Sequence, residues 1–319
     1  MVYDYQKEGI TQGLLARFMS CREETRLFLE KWTPKKLISP ALTYGIIIHG
    51  VLERVYDEIR KEKLKICPSI ERVRSYLGSI EKIFYASYPI TNNTDRQLLS
   101  DNLFIAEATL PLYFKKWWRY DSTKVKWERI EQVFEIPYIT KDGRRTIIRG
   151  RKDGIFRNPG LWLFETKSKS LINEANLIDT LPFELQINLY LWAIRKLQKV
   201  VPSGVLYNVI RRTSLERKKS ESLGQFSTRL SEDIAKRPDF YFMRFEIIKT
   251  KKEMDTWENE LEGMVVDFMN WCEGKVPHYK NTGQCITKYG RCPMLSICSS
   301  GNYHLYKKRK STFIELEDT

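Results

Sequence analysis

Residues 150–170, GRKDGIFRNPGLWLFETKSKS, set two acids and a lysine into a stretch that otherwise reads as buried β-structure. Asn158-Pro159-Gly160 carries turn chemistry, because proline fixes φ and glycine tolerates positive φ. The flanks RRTIIRGRKDGIF and LWLFETK are strand-like, so the segment reads as a hairpin. With the turn centred near Pro159, Asp153 on the first strand falls roughly across from Glu165 on the second, and Lys167 shares the face of Glu165. Two carboxylates facing each other on a half-buried sheet repel and resist ionisation unless a proton, a cation or a metal ion sits between them. Carboxylate oxygen suits a hard divalent ion, Mg²⁺ or Mn²⁺, far better than a softer metal. An ordinary charged strand end is the alternative reading of the same pattern.

Working outward, the N-terminal part reads helical. ITQGLLARFMSCREETRLFLEKW and LTYGIIIHGVLERVYDEIRKEKL both carry apolar residues at helical spacing, the second after Pro40, and more helix is expected from about Ile70 to Trp118. Near Val125 the period changes. KWERIEQVFEIPYIT, the hairpin flanks, SGVLYNVIRR and FYFMRFEII read as strands, interrupted by one helix, FELQINLYLWAIRKLQ. The charged, Ser-rich segment from Thr213 to Pro238 reads as a surface loop. A last amphipathic helix, KKEMDTWENELEGMVVDFMNWCEG, precedes a Gly/Cys-rich segment and a basic tail, KKRK. No linker is rich enough in Pro, Gly or Ser to divide the chain, so a single α/β domain with a mixed sheet is expected, with a helical region (1–124) before a core (125–250) and a C-terminal part (251–319).

A chain of 319 residues can bury a large core, and a hydrophobic content of 42% agrees. The longest apolar runs, such as GIIIHGVL, are too short to cross a bilayer. MVYDYQKEGI lacks the apolar region of a signal peptide, so the expected location is cytoplasmic, with no membrane partner. The net charge of +14 makes a polyanion the expected partner, since Lys and Arg release condensed counterions from phosphates. Local basic runs lie at RRTSLERKK (211–219), with Arg211, Arg212, Lys218 and Lys219, and at 307–310.

A helix carrying His49 in GIIIHGVLE, the first acid in GRKDGIF, the acid-x-lysine in LFETK, and a following helix with QINLY resemble, in that order, the PD-(D/E)xK nuclease superfamily. The closest likeness is to its RecB-like branch, which includes AddB-type recombination nucleases, CRISPR adaptation nucleases and phage exonucleases; a phage-encoded origin fits the same likeness. The resemblance implies a restriction-endonuclease-like core in which His49, Asp153 and Glu165, with the Thr166 carbonyl, ligate Mg²⁺ or Mn²⁺. It implies that Lys167 orients or activates the attacking water, and that Gln186 and Tyr190, on one helix face at i and i+4, lie near the substrate backbone. Glu165 stands where many relatives have Asp. Phosphodiester cleavage needs a hydroxide-like nucleophile and a cation on the scissile phosphate, and a carboxylate-held metal supplies both.

Six cysteines in an intracellular chain do not suggest a disulfide framework. Cys285, Cys292 and Cys298 lie among glycines and a proline, where thiolates could gather around zinc or an iron–sulfur cluster. The resemblance supplies a fourth ligand: AddB-like and CRISPR-type relatives bind a [4Fe-4S] cluster through one upstream and three downstream cysteines, and Cys21 occupies the upstream position. Such a cluster would staple the two ends of the chain around the core. The downstream gaps of six and five residues depart from the tight C-x-x-C of several relatives, which keeps Zn²⁺ open. Cys67 and Cys272 read as packing residues.

The activity so implied is a metal-dependent deoxyribonuclease, an exonuclease trimming single- or double-stranded DNA ends in replication, recombination or repair. A homo-oligomer or a recombination or replication protein would be its partner. Two alternatives stand beside it: a non-catalytic nucleic-acid-binding subunit, and a nuclease acting on RNA or within a CRISPR adaptation complex. Trp117, Trp118 and Tyr120 read either as stacking platforms for single-stranded bases or as helix packing.

Overall fold

In the computed structural model, which describes residues 3–317 apart from 36–38, 88–89, 91, 171, 288–289 and 314–315, six strands form one mixed sheet. They are Ile10–Thr11 (β1), Lys126–Ile139 (β2), Arg145–Asn158 (β3), Gly160–Lys169 (β4), Gly204–Arg211 (β5) and Phe242–Ile248 (β6). β3 is the pivot. One of its edges pairs antiparallel with β2 along its length. The other is shared between β4, antiparallel from Gly154↔Phe164 to Asn158↔Gly160, and β1, parallel at Ile148 and Arg149. β4 continues into a parallel pairing with β5, and β5 into an antiparallel pairing with β6. All eight residues of β5 are buried, as expected of a strand covered on both faces.

The helices are Gln12–Ser20 (α1), Arg22–Leu29 (α2), Pro40–Arg60 (α3), Ile70–Ser87 (α4), Asn93–Thr123 (α5), Glu174–Thr180 (α6), Leu185–Gln198 (α7), Leu223–Lys236 (α8), Lys251–Cys272 (α9) and Leu295–Ser300 (α10). On one face of the sheet α1, α7 and α9 pack over Leu163, Val205 and Tyr207. On the other, α3, α4, α5 and α8 pack over Phe156, Phe164, Leu206 and Ile210. Proline at the first position of α3 and the Ser39 hydroxyl, which accepts from Leu42 N–H at 3.1 Å, fix where the His49 helix begins. No helix among the described residues is long and apolar enough to cross a membrane.

Two expectations are corrected. The first long N-terminal helix is two, because Cys21 adopts an extended backbone (φ −158°, ψ 119°) between α1 and α2. Within the stretch from Thr213 to Pro238, read as loop, lies α8. Ser222 and Gln225 close a capping box, and Phe226, Leu230 and Ile234, spaced at i, i+4 and i+8, are buried. Burying three such side chains contributes roughly 1.5–3 kcal/mol each, enough to fold a segment whose remaining residues are charged.

Candidate active site

The edge of β3 has no strand partner between Arg149, last paired to β1, and Gly154, first paired to β4. Asp153 sits in that fork. Its Oδ2 accepts the Thr166 N–H at 2.7 Å, a bond that a regular ladder would give to a backbone carbonyl. The hairpin register, with one residue between Asn158 and Gly160, places Glu165 one step beyond the Gly154↔Phe164 pair and hence level with Asp153.

Glu165 is 1% exposed; its Oε1 accepts from Lys167 Nζ at 2.6 Å and its Oε2 has no partner. A buried, unpartnered carboxylate oxygen is costly, and this one is left free to take a proton or a cation. Burial, then the charge of Asp153, push the Glu165 carboxyl up to about 7, against the pull of Lys167. Asp153 is raised too, by burial, with Glu131 adding to it and His49 opposing. Lys167 loses to burial but gains more from Glu165 and Asp153, and so keeps its proton. A second bond, to Gln186 Oε1 at 2.7 Å, aims the ammonium from α7. One turn on, Tyr190 is buried, edge-on to Phe134 with ring centroids 5.8 Å apart. Gly150 lies beneath both rings, where a Cβ would come within 2.8 Å of Phe134 and 3.0 Å of Tyr190.

His49 reaches the same fork from α3, with Nδ1 3.5 Å from Asp153 Oδ2 and 3.8 Å from Glu131 Oε1. Burial disfavours its charge, but the two carboxylates outweigh burial and raise it to about 9. Glu131 is the residue that sequence reasoning missed. It lies on β2 between the pairs Ile130↔Gly154 and Gln132↔Lys152, level with Asp153, with a positive φ of 45°. His49, Glu131 and Asp153 are the one group of three His, Cys, Asp or Glu among the described residues whose ligand atoms all lie within 4.8 Å of one another. The turn Lys141-Asp142-Gly143 could have found Glu131, since Thr140 N–H bonds Arg144 O across it and the register counted from that closure sets 131 opposite 153.

A family model described as PD-(D/E)XK nuclease superfamily matches residues 15–299. The chain belongs to the PD-(D/E)XK nuclease superfamily. Its members act on nucleic acid and generally use divalent metal ions, and the donors here fit one: hard carboxylate oxygens, an imidazole, and the unpartnered Oε2 of Glu165. No curated protein matches in sequence. Among solved structures, a protein of Eubacterium rectale named "Putative exonuclease" aligns at 13% identity with a TM-score of 0.49, covering 96% of this chain and 92% of its own. SSO0001 aligns at 15% identity with a TM-score of 0.26, covering 73% of this chain and 78% of its own.

For this nuclease the remaining expected residues divide. Cys21, Cys285, Cys292 and Cys298 line one cavity with Glu24 and Lys280. The Asn281 N–H donates to Cys21 Sγ at 3.4 Å, Cys292 N–H donates to Cys285 O at 2.9 Å, and burial pushes the Cys292 thiol up to about 11. Cys67 and Cys272 pack against the two main cores. Lys218 and Lys219 are exposed, and Arg212 bonds Asn102 Oδ1 at 3.3 Å. Arg211 is buried, its guanidinium bonded to the carbonyl of Phe240 at 2.9 Å and stacked on that ring, so it leaves the set of residues facing nucleic acid. Trp117, Trp118 and Tyr120 pack against the helical face of the sheet, Trp117 beneath the Arg244 guanidinium at 4.3 Å.

Proposed function

We propose that this nuclease is a Mg²⁺- or Mn²⁺-dependent deoxyribonuclease that degrades DNA from its ends in replication, recombination or repair. The observation that carries the reading is the buried Glu165 carboxylate, with one oxygen on Lys167 and the other unpartnered, level with Asp153 at an open fork in the sheet. His49, Asp153, Glu165 and the Thr166 carbonyl would hold the metal, and Glu131, which lies within 4.8 Å of the His49 and Asp153 ligand atoms in a group that does not include Glu165, would join them. When bound, the metal neutralises charge on the scissile phosphate and acidifies a water. Asp153 is held by the Thr166 N–H, and Lys167 is aimed by Gln186 and kept protonated by the two acids, ready to orient the attacking water and offset charge on the pentavalent transition state. The net charge of +14 supports a polyanionic substrate, and the RecB-like resemblance supports attack at ends.

The four thiols would hold a [4Fe-4S] cluster that pins the break between α1 and α2 to the C-terminal segment. Cys21, Cys285, Cys292 and Cys298 line one cavity, and the RecB-like resemblance supports a cluster there.

The test is a cleavage panel with linear single-stranded DNA, linear duplex, closed circular DNA and linear RNA, each with Mn²⁺, Mg²⁺ or EDTA. Degradation of linear DNA alone, abolished by EDTA, is expected. Equal cleavage of closed circles would overturn the end-directed reading, and cleavage of RNA alone would overturn the DNA assignment.

A further inference from the structure

The segment between α6 and α7 presents an aromatic ring to solvent beside the site. Phe183 is 82% exposed, the most exposed of the large hydrophobic residues described. Exposure of this kind usually accompanies a loose loop, but this turn is tied down on both sides. Leu181 before it is 1% exposed and accepts the Glu184 N–H at 3.1 Å. The Pro182 carbonyl accepts from Lys249 Nζ at 2.5 Å and from Asn188 Nδ2 at 3.0 Å. The ring is therefore held out by a fixed backbone.

Its position ties it to the chemistry. Glu184, the next residue, feels the charges of Lys167, Lys169 and Glu165, and Gln186, two further on, bonds Lys167 Nζ at 2.7 Å. Three residues span at most about 11 Å, so Phe183 lies within a few nucleotides of a phosphate seated at Lys167. Neighbouring α6 carries Glu174 and Asp179, which would repel phosphate. What this corner offers is a flat apolar face, with Ile178, 52% exposed, on the preceding helix. A ring in that setting suits a nucleobase, and an unpaired base can lie on it where an internal base of a duplex, covered on both faces, cannot.

We infer that Phe183 is a stacking platform for an unpaired base of the DNA strand entering the active site, which makes single-stranded or frayed ends the preferred substrate. The inference rests on the nuclease reading above and deepens it. Phe183 contacts the substrate away from the reacting phosphate, so it sets affinity and strand preference.

The experiment measures binding of Glu165→Ala protein to single-stranded oligonucleotides in which one abasic site is walked along the strand, with Phe183 intact or replaced by Ala or Trp. One abasic position is expected to weaken binding by about 5- to 150-fold, the range for one base on an aromatic. Phe183→Ala should cause the same loss on intact DNA and no further loss at that abasic position, and Phe183→Trp should restore binding. Equal losses for Phe183→Ala at every abasic position, or no loss anywhere, would overturn the inference. Because binding is read in an inactive variant, this failure is separate from failure of the nuclease reading, which appears as wild-type protein that cleaves nothing.

Discussion

Replacing Asp121 by alanine removes one half of a buried ion pair. Asp121 and Arg244 are 4% and 5% exposed and form a fork of two bonds, 2.6 and 2.8 Å. Around the fork, Tyr56 donates to Asp121 Oδ2 at 2.9 Å, while Arg244 donates to Tyr113 OH at 2.8 Å and to Asn208 Oδ1 at 3.1 Å. Asn208 Nδ2 in turn donates to Thr166 Oγ1 at 3.2 Å, so the network joins α3, α5, β5 and β6 to the strand that carries the site. Without Asp121 the guanidinium keeps only neutral acceptors inside the core, which costs about 3–5 kcal/mol. Unfolding entropy near 2.1 cal/mol/K per residue gives about 0.7 kcal/mol/K for 319 residues. The corresponding fall in Tm is about 4–8 °C, readable by calorimetry. Removing both charges, with Asp121→Leu and Arg244→Met, should recover most of the loss, since a hydrophobic pair of similar volume is commonly as stable as the buried ions. A single variant that melts within about 1 °C of the wild type would refute the reasoning.

Two further predictions concern Lys152 and Cys292. Lys152 is fully buried over the Phe134 ring, its Nζ 4.3 Å from the centroid and without a hydrogen-bond partner, and burial lowers it to about 8. The unfolded chain, titrating near 10.4, binds the proton more tightly than the folded one, so stability should rise with pH between about 8 and 10.5. Lys152→Met should therefore stabilise the protein at pH 7, by up to about 3 kcal/mol, with the gain shrinking as pH rises through that window; urea melts at pH 7 and pH 10 check both sign and window. If the four thiols hold the proposed cluster, Cys292→Ser should lower soluble yield and abolish the broad visible absorbance of anaerobically purified protein, because it would remove a ligand of that staple; colourless wild-type protein loaded with zinc would contradict the cluster.

The hairpin was legible because its signal is local. Pro159 fixes the turn, the turn fixes the register, and the register alone brings Asp153 level with Glu165. The same holds for Gln186 and Tyr190, whose helix could be read from its own periodicity. Glu131 was not legible as a candidate site residue, because the register that places it is counted across a second turn and its positive φ departs from regular strand geometry. Arg211 looked like part of a basic surface run, yet β5 carries it under Phe240, and no single-chain pattern reports which end of a strand is roofed over. A two-residue strand such as β1 is too short to have a period at all. α8 did leave a signal, the Ser222 to Gln225 capping box followed by Phe226, Leu230 and Ile234, outweighed by the surrounding charge.

The central claim is that Glu165 and Lys167 complete a metal-dependent hydrolytic centre. It is tested most directly by single-turnover cleavage of end-labelled linear DNA by wild type, Glu165→Gln and Lys167→Ala with Mn²⁺, with DNA affinity measured alongside for each. The account predicts that both variants lose cleavage by about a hundred- to a thousandfold, the scale on which a transition-state electrostatic group acts, while affinity stays near that of the wild type. Substantial cleavage by both variants, or cleavage that survives EDTA, would contradict it.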